Sequence, residues 1–270
     1  MGACALGYLR TYPPHLLPGR SPGSKSGLTG HHGWPASSPG YHGRTEVRVR
    51  FKVNEIFASI QGEGSRAGRP CVFIRLSGCP LRCGYCDTTY AYQAGTMLEL
   101  EAILEQVRAL LGPVGPGPNA PFVELTGGEP LAHPEAPALL EALAGLGCEV
   151  ALETAGSHDL APVPRGVVKI VDRKTPGSGE AAQWLESNLD WMVPGQDELK
   201  FVLCDPADYA WARAWCRERD VLDRLDVLFS PVWGGLDPAW LAEQIIRDGL
   251  PVRFQLQLHK LVWGPERRGV

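Results

Sequence analysis

The stretch that most narrows what this chain can become is Cys71–Tyr90, CVFIRLSGCPLRCGYCDTTY. Its first part, CVFIRLS, is rich in β-branched and aromatic residues and predicts a strand. Gly78 and Pro80 end that strand, and Cys79, Cys83 and Cys86 follow at C-x-x-x-C-x-x-C spacing. Three thiols so close in sequence can face one centre only if their loop curls around it. Gly78, Pro80 and Gly84 favour such a path.

Structural zinc takes four closed ligands, commonly two C-x-x-C pairs or cysteines with histidines. No second pair exists, and the next histidine along is His133. A 4Fe–4S cluster is normally held by four thiolates. Three would leave one iron open to chelation by a small molecule. The alternatives are cysteines that only pack, or a zinc with a distant fourth ligand.

With 270 residues, 44% hydrophobic, the chain can bury one sizeable core and still carry a tail. A net charge of -4 and a pI near 6.0 give no electrostatic case for nucleic acid. No apolar run reaches membrane-spanning length. Cys4, Cys71, Cys148, Cys204 and Cys216 are scattered, which fits reduced thiols in a cytoplasm better than a disulfide framework. Residues 1–45 are dense in Gly, Pro, Ser and His, and the first acidic residue is Glu46. Such a segment buries too little apolar surface to offset its ordering entropy, so a disordered extension is expected ahead of one folded domain, 46–270.

Within that domain, VRVRFKVNEIFASI predicts a strand leading into the polar loop IQGEG. Gln61 and Glu63 are there either in an ordinary turn or as an amide–carboxylate pair for the edge of a heterocycle. TMLELEAILEQVRALLG predicts a helix, with Thr96 and Glu99 as a capping box. Its core residues would be Leu100, Ile103, Leu104, Val107, Leu110 and Leu111. PFVELTGGEPL predicts a strand ending where Gly127 and Gly128 would let the backbone approach a ligand.

Further strands then alternate with helices near 134–145, 180–189, 205–219 and 237–249. That alternation predicts α/β architecture with a parallel sheet, a partial (β/α) barrel. The first strand lacks GxGxxG, so a dinucleotide fold has no fingerprint. The cysteines follow the C-terminal end of their strand, where parallel α/β folds keep their sites. Glu153, Thr154, Asp172, Lys174, Lys200 and Ser230 would share that rim, with Lys200 either snorkelling or pairing with a carboxylate. His259 and Lys260, in QLHK, would fold over it.

The cysteine spacing, with Tyr85 before the third cysteine and TGGEPL one helix later, resembles the radical S-adenosylmethionine (SAM) superfamily. The resemblance implies a 4Fe–4S cluster on Cys79, Cys83 and Cys86, SAM on the open iron, and a 5′-deoxyadenosyl radical. It also implies a barrel of that type with a reduced helix count. The ordered set IQGEG, Arg75, YCDT, TGGEPL, KTPGSG and QLHK, over residues 53–265, resembles the 7-carboxy-7-deazaguanine synthase family more narrowly. That implies ring contraction of 6-carboxy-5,6,7,8-tetrahydropterin to 7-carboxy-7-deazaguanine with loss of ammonia, in queuosine and deazapurine biosynthesis. It also implies Mg2+, a reductase such as flavodoxin or ferredoxin, and a homodimer.

By position, Ile60, Gln61, Gly62, Glu63, Arg75, Thr126 and His259 would contact the pterin, Arg75 taking its carboxylate. Tyr85, Cys86, Asp87, Gly128, Asp172 and Lys174 would frame SAM, and Thr88 would ligate Mg2+. Asp172-Arg173-Lys174 stands where the family often has Ser-Pro-Lys, and Ala155 where it often has Asn or Ser. A glycyl-radical activase and a zinc-binding interaction module are the rival readings.

Overall fold

The computed structural model describes residues 48–112 and 120–270. The extension expected over 1–45 lies outside them. These described residues belong to one compact unit.

Strand β1 (Arg50–Ile60) pairs antiparallel with β2 (Pro70–Leu76) and, on its other edge, with β3 (Thr96–Glu99). Helix α1 (Leu100–Leu111) then leads to β4 (Phe122–Gly127), which lies parallel to β2. Next come α2 (Ala136–Ala144), β5 (Glu149–Thr154) and β6 (Val168–Asp172). The chain continues through β7 (Glu198–Leu203), α3 (Pro206–Glu218), β8 (Asp226–Pro231), α4 (Pro238–Asp248), the two-residue β9 (Arg253–Phe254) and α5 (Leu258–Trp263). The sheet order is β3-β1-β2-β4-β5-β6-β7-β8-β9, parallel from β2 onward. It is an open, partial barrel. No α-helix links β5 to β6, and only 3-10 turns link β6 to β7, so the helix count is reduced as expected.

Three expectations change. The capping box does not form. Thr96–Glu99 pairs with Arg50–Val53, and Glu99 starts α1 without a side-chain cap, its carboxylate 3.0 Å from Arg48. The exposed edge of β1 offered the backbone a better partner than a helical turn would. Leu110 is exposed in the last turn of α1, whereas Ile103, Leu104 and Val107 are buried. The helix expected over 180–189 is two 3-10 turns, Ala181–Gln183 and Glu186–Trp191.

Successive strand residues point to opposite faces. One face, with Val123, Leu125, Leu199, Phe201 and Phe229, joins the helices in the main apolar core. The other carries a smaller apolar cluster of Cys71, Phe73, Phe122, Ala151, Val168 and Ile170 at its base. Arg66 and Arg69 lie over the Phe122 ring there, and each guanidinium is 2.6 Å from Glu149. Nearer the C-terminal strand ends the same inner face turns polar.

Candidate active site

The cysteine loop is fixed by its neighbours more than by itself. The Gly128 N–H donates to Leu76 O at 3.0 Å, and the Glu129 N–H to Gly78 O at 2.8 Å. A Cβ at Gly127 would stand 2.5 Å from Leu76 O, and one at Gly128 would strike Gly78 O and come within 2.8 Å of Cys79 Cβ. The glycine pair therefore lets β4 approach the cysteine loop, where the sequence suggested room for a ligand. The Gly84 N–H donates to Ser178 O at 3.0 Å, and the Arg82 N–H to Glu180 at 2.6 Å.

All three thiols line a cavity of about 590 Å³, a volume suited to a small-molecule site. Ile60, Gln61, Glu63, Arg75, Tyr85, Asp87, Thr88, Thr126, Gly128, Asp172, Lys174 and His259 line it too. Of the site residues expected from the sequence, buried Ser230 does not, and neither does Gly62. It lies against the His259 ring, which leaves no room for a Cβ, and its carbonyl accepts from the Leu258 N–H at 2.9 Å. Residues 265–270 also line the cavity, and the Arg268 guanidinium sits 4.1 Å over the Tyr90 ring.

The polar groups are organised around two lysines. Lys200, 4% exposed, pairs with Glu63 at 3.0 Å and with Glu153, and lies 3.9 Å from Asp172. It does not snorkel. Burial works against its ammonium, but Glu153 and Glu63 outweigh this and hold its pKa well above the lysine range. Lys174 pairs with Asp172 at 2.7 Å and sits 5.5 Å from the Tyr85 ring. The Tyr85 hydroxyl and Asp172 Oδ1 are buried without a partner among the described residues. Arg75 donates Nε to Glu55 at 2.7 Å, and the Tyr90 hydroxyl donates to the same oxygen at 2.9 Å. Thr126 donates to Glu153 at 3.1 Å. Burial lowers the His259 pKa, against the pull of Glu63, so the imidazole is neutral at neutral pH.

The loop 61–65 is stitched to residues far along the chain. The Gly64 N–H donates to Gln255 at 2.6 Å, and Gln257 donates to Glu63 at 2.9 Å. Lys260 of α5 pairs with Asp87 at 2.5 Å, joining that helix to the cysteine loop. Thr88 donates to Asp87 at 2.9 Å and caps no backbone amide. Ala155 contributes only its N–H, which donates to Glu129 at 2.8 Å. Fully buried Glu129 also accepts from Leu131 N at 3.0 Å and Thr154 Oγ1 at 2.8 Å, tying TGGEPL to the end of β5.

Sequence reasoning missed Glu55, Tyr90 and Glu124. Glu124 carried a signal nonetheless: an acid between Val123 and Leu125 of a buried strand. Parallel strands covered on both faces normally run apolar throughout.

A model of the radical SAM superfamily matches residues 73–171, from β2 through most of β6. A 7-carboxy-7-deazaguanine synthase from Chlorobaculum tepidum is 43% identical over 222 residues, covering 82% of this chain and 97% of the relative. The chain belongs to the 7-carboxy-7-deazaguanine synthase family. Another member, from Koribacter versatilis, is 40% identical and is covered along its whole length. The crystal structure of QueE from Escherichia coli shares the fold, with a TM-score of 0.63 at 23% identity over 78% of this chain and 95% of that one.

As a 7-carboxy-7-deazaguanine synthase the protein is a radical-SAM lyase that uses a 4Fe–4S cluster and SAM. Its residues fit both groups. Cys79, Cys83 and Cys86 are free and half-buried. Burial pushes the Cys83 thiol up to about 11, with the Lys174 ammonium the first influence in the other direction. Among the described residues no three His, Cys, Asp or Glu side chains are gathered to hold a single metal ion. The Tyr85 hydroxyl and Asp172 Oδ1, without partners among the described residues, are polar atoms of the kind that the charged and sugar groups of SAM would need. No described helix is long and apolar enough to cross a membrane.

Proposed function

We propose that 6-carboxy-5,6,7,8-tetrahydropterin is contracted to 7-carboxy-7-deazaguanine, with loss of ammonia, in this one cavity. The observation that carries the reading is the company the three thiols keep. They share about 590 Å³ with a half-free guanidinium, an amide–carboxylate pair, buried Lys200 and half-buried Lys174. When bound, the cluster and SAM supply the one-electron chemistry that opens the reaction. Cys79, Cys83 and Cys86 hold the cluster. Tyr85, Cys86, Asp87, Gly128, Asp172 and Lys174 hold SAM. The Gly128 N–H is spent on Leu76 O, so its carbonyl is the atom left for an ammonium group.

On the substrate side, Ile60, Gln61, Gly62, Glu63, Thr126 and His259 form the wall against the pterin. Arg75 spends only Nε on Glu55 among the described residues, leaving its terminal nitrogens for the substrate carboxylate. Thr88 with substrate oxygens and waters suits Mg2+, which takes few protein ligands. Its present hydrogen bond to Asp87 would have to yield. A flavodoxin- or ferredoxin-type reductase, a cytoplasmic setting and a homodimer complete the reading. Exposed Leu261, Val262 and Trp263 on α5 are apolar surface that a second copy could cover.

The test is anaerobic reconstitution followed by incubation with the carboxytetrahydropterin, SAM, Mg2+ and a reductant. Product identified by mass and stoichiometric ammonia are expected. A brown, iron-loaded protein that cleaves SAM but converts no pterin would overturn the reading in favour of an activase. A colourless protein holding zinc would favour an interaction module. For the metal, Thr88→Ala should need more Mg2+ for half-maximal turnover while binding SAM normally.

A further inference from the structure

On β4 the residues facing the cavity side are Phe122, Glu124 and Thr126. Glu124 is 1% exposed, and register sets it beside Phe73 of β2 and Ala151 of β5, with Val168 of β6 next in line. Those neighbours all belong to the apolar cluster at the base of the inner face. A carboxyl placed there loses its hydration, and an ionised one would cost several kcal/mol unless a cation stood beside it. Among the described residues no basic group lies within 4.0 Å of Glu124. The nearby cations are committed elsewhere, Lys200 to Glu63 and Glu153, and Arg75 to Glu55.

Its side-chain partner is Gln61, whose Nε2 donates to Glu124 Oε2. The other end of that amide, Oε1, accepts the Glu63 N–H at 3.2 Å. The amide cannot turn over without setting its NH2 against that N–H. Glu124 and the Glu63 N–H, at the two ends of the amide, together hold Gln61 in this orientation. Burial first, and then the Glu153 carboxylate of β5, raise the Glu124 pKa well above the ordinary range. Glu63 of the loop acts in the same direction; Lys200 of β7 and Arg75 of β2 oppose it and do not prevail. Burial with no cation within 4.0 Å favours the neutral carboxyl, and with Oε2 accepting from Gln61 its proton then belongs on Oε1. Glu124 also lines the cavity, two residues deeper along the strand than Thr126.

An apolar side chain would suit this layer better than an acid does, so packing does not account for Glu124. We propose that Glu124 reads the heterocycle of the substrate, orienting the Gln61 amide and offering its own O–H to a ring carbonyl or an unprotonated ring nitrogen. The inference rests on the reaction proposed above and deepens it. Arg75 answers to the substrate carboxylate, and Glu124 to the pyrimidinone half.

The test compares Glu124→Met and Glu124→Gln with the parent, all cluster-loaded. Pterin binding without reductant, the KM for pterin and for SAM, and uncoupled SAM cleavage are measured. Loss of one buried hydrogen bond and of the Gln61 orientation should weaken pterin binding about 10- to 100-fold in Glu124→Met. SAM affinity and uncoupled cleavage should stay at parent levels. Glu124→Gln keeps an acceptor for Gln61 and an N–H for the ring, and should recover most of the loss.

Parent-like pterin affinity in Glu124→Met would overturn the inference. So would a Glu124→Gln variant as impaired as Glu124→Met, since that would mean an ionised carboxylate is required. Equal loss of pterin and SAM affinity would mark a structural role only and would also overturn it. If Glu124→Met does not fold, Glu124→Gln against the parent from neutral to mildly alkaline pH decides between the neutral and the ionised acid. A parent enzyme that turns over no pterin sinks the reaction itself. A turning-over parent with unaffected variants sinks only the role of Glu124.

Discussion

On β7, Leu199, Phe201 and Leu203 turn toward the helices, while Glu198, Lys200 and Val202 turn the other way. On β4, Val123 and Leu125 do the first and Glu124 and Thr126 the second. The outer face stabilises the fold through apolar area removed from water, at roughly 25 cal/mol per Å². The inner face has only a small apolar cluster at its base and turns polar toward the strand ends. It holds desolvated charges and, among the described residues, leaves the Tyr85 hydroxyl and Asp172 Oδ1 without partners. One set of strands thus separates what makes the protein fold from what makes it act, with a period of two residues.

The widest gap between the faces should appear between two cysteines. Cys83→Ala is expected to abolish cluster iron and SAM cleavage, whereas Cys216→Ala, in the outer core, should leave iron per folded molecule unchanged. Iron analysis after anaerobic reconstitution checks this, and a full cluster in Cys83→Ala would break the comparison.

Neighbours on β7 sharpen it. Phe201→Ala should cost about 3–5 kcal/mol of stability at any pH, by leaving a cavity. Lys200→Met should cost about 3–5 kcal/mol at neutral pH, by stranding Glu63 and Glu153. Burial alone would raise the Glu153 pKa, but Lys200 holds it below the ordinary value. The Lys200 contribution is therefore present above the unfolded carboxyl pKa and fades as pH falls through it. Denaturant titrations at two pH values separate the variants. A pH-independent loss in Lys200→Met would remove the electrostatic explanation.

Arg75→Lys should weaken pterin affinity roughly 30- to 1000-fold, the worth of a charge-assisted bidentate pair of about 2–4 kcal/mol. Uncoupled SAM cleavage should continue. Parent-like affinity would reject the carboxylate role.

The smallest effect concerns stability at Glu124. Its folded pKa is raised, so above the ordinary carboxyl value of 4.5 the unfolded chain has released a proton that the folded protein keeps. Stability conferred at that position then falls as pH rises from there toward the folded value. Glu124→Gln should gain on the parent across that window, as thermal unfolding over a pH series would show. A constant difference would mean the acid is ionised in the folded state.

Much of this was legible because local chemistry restricted it. Most of the parallel strands are short, largely apolar runs with Gly, Pro or Asp at or soon after their ends, and the cysteine spacing admits few ligands. TMLE was misread because Thr96-x-x-Glu99 satisfies a capping box and an alternating edge strand equally. The deciding partner, Arg50–Val53, lies far back in the chain. Gly127-Gly128 was legible as a close approach, but what approaches is the Leu76–Gly78 backbone, a non-local fact. Glu55 and Tyr90 were not legible at all. Whether a lone polar residue faces the site depends on register, and a shift of one residue reverses it.

The stitching of residues 61–65 to 255–258 gives the site a place in time as well as in space. The bonded residues Gly64 and Gln255 are 191 positions apart. At about 5–20 residues per second of synthesis, the IQGEG loop waits roughly 10–40 s for the segment that fixes it. Through that interval the cysteine loop and its strand can already exist while the wall carrying Gln255, Gln257 and His259 does not. Iron and sulfide arriving then meet an open trough; arriving later, they must enter through the mouth of a finished cavity.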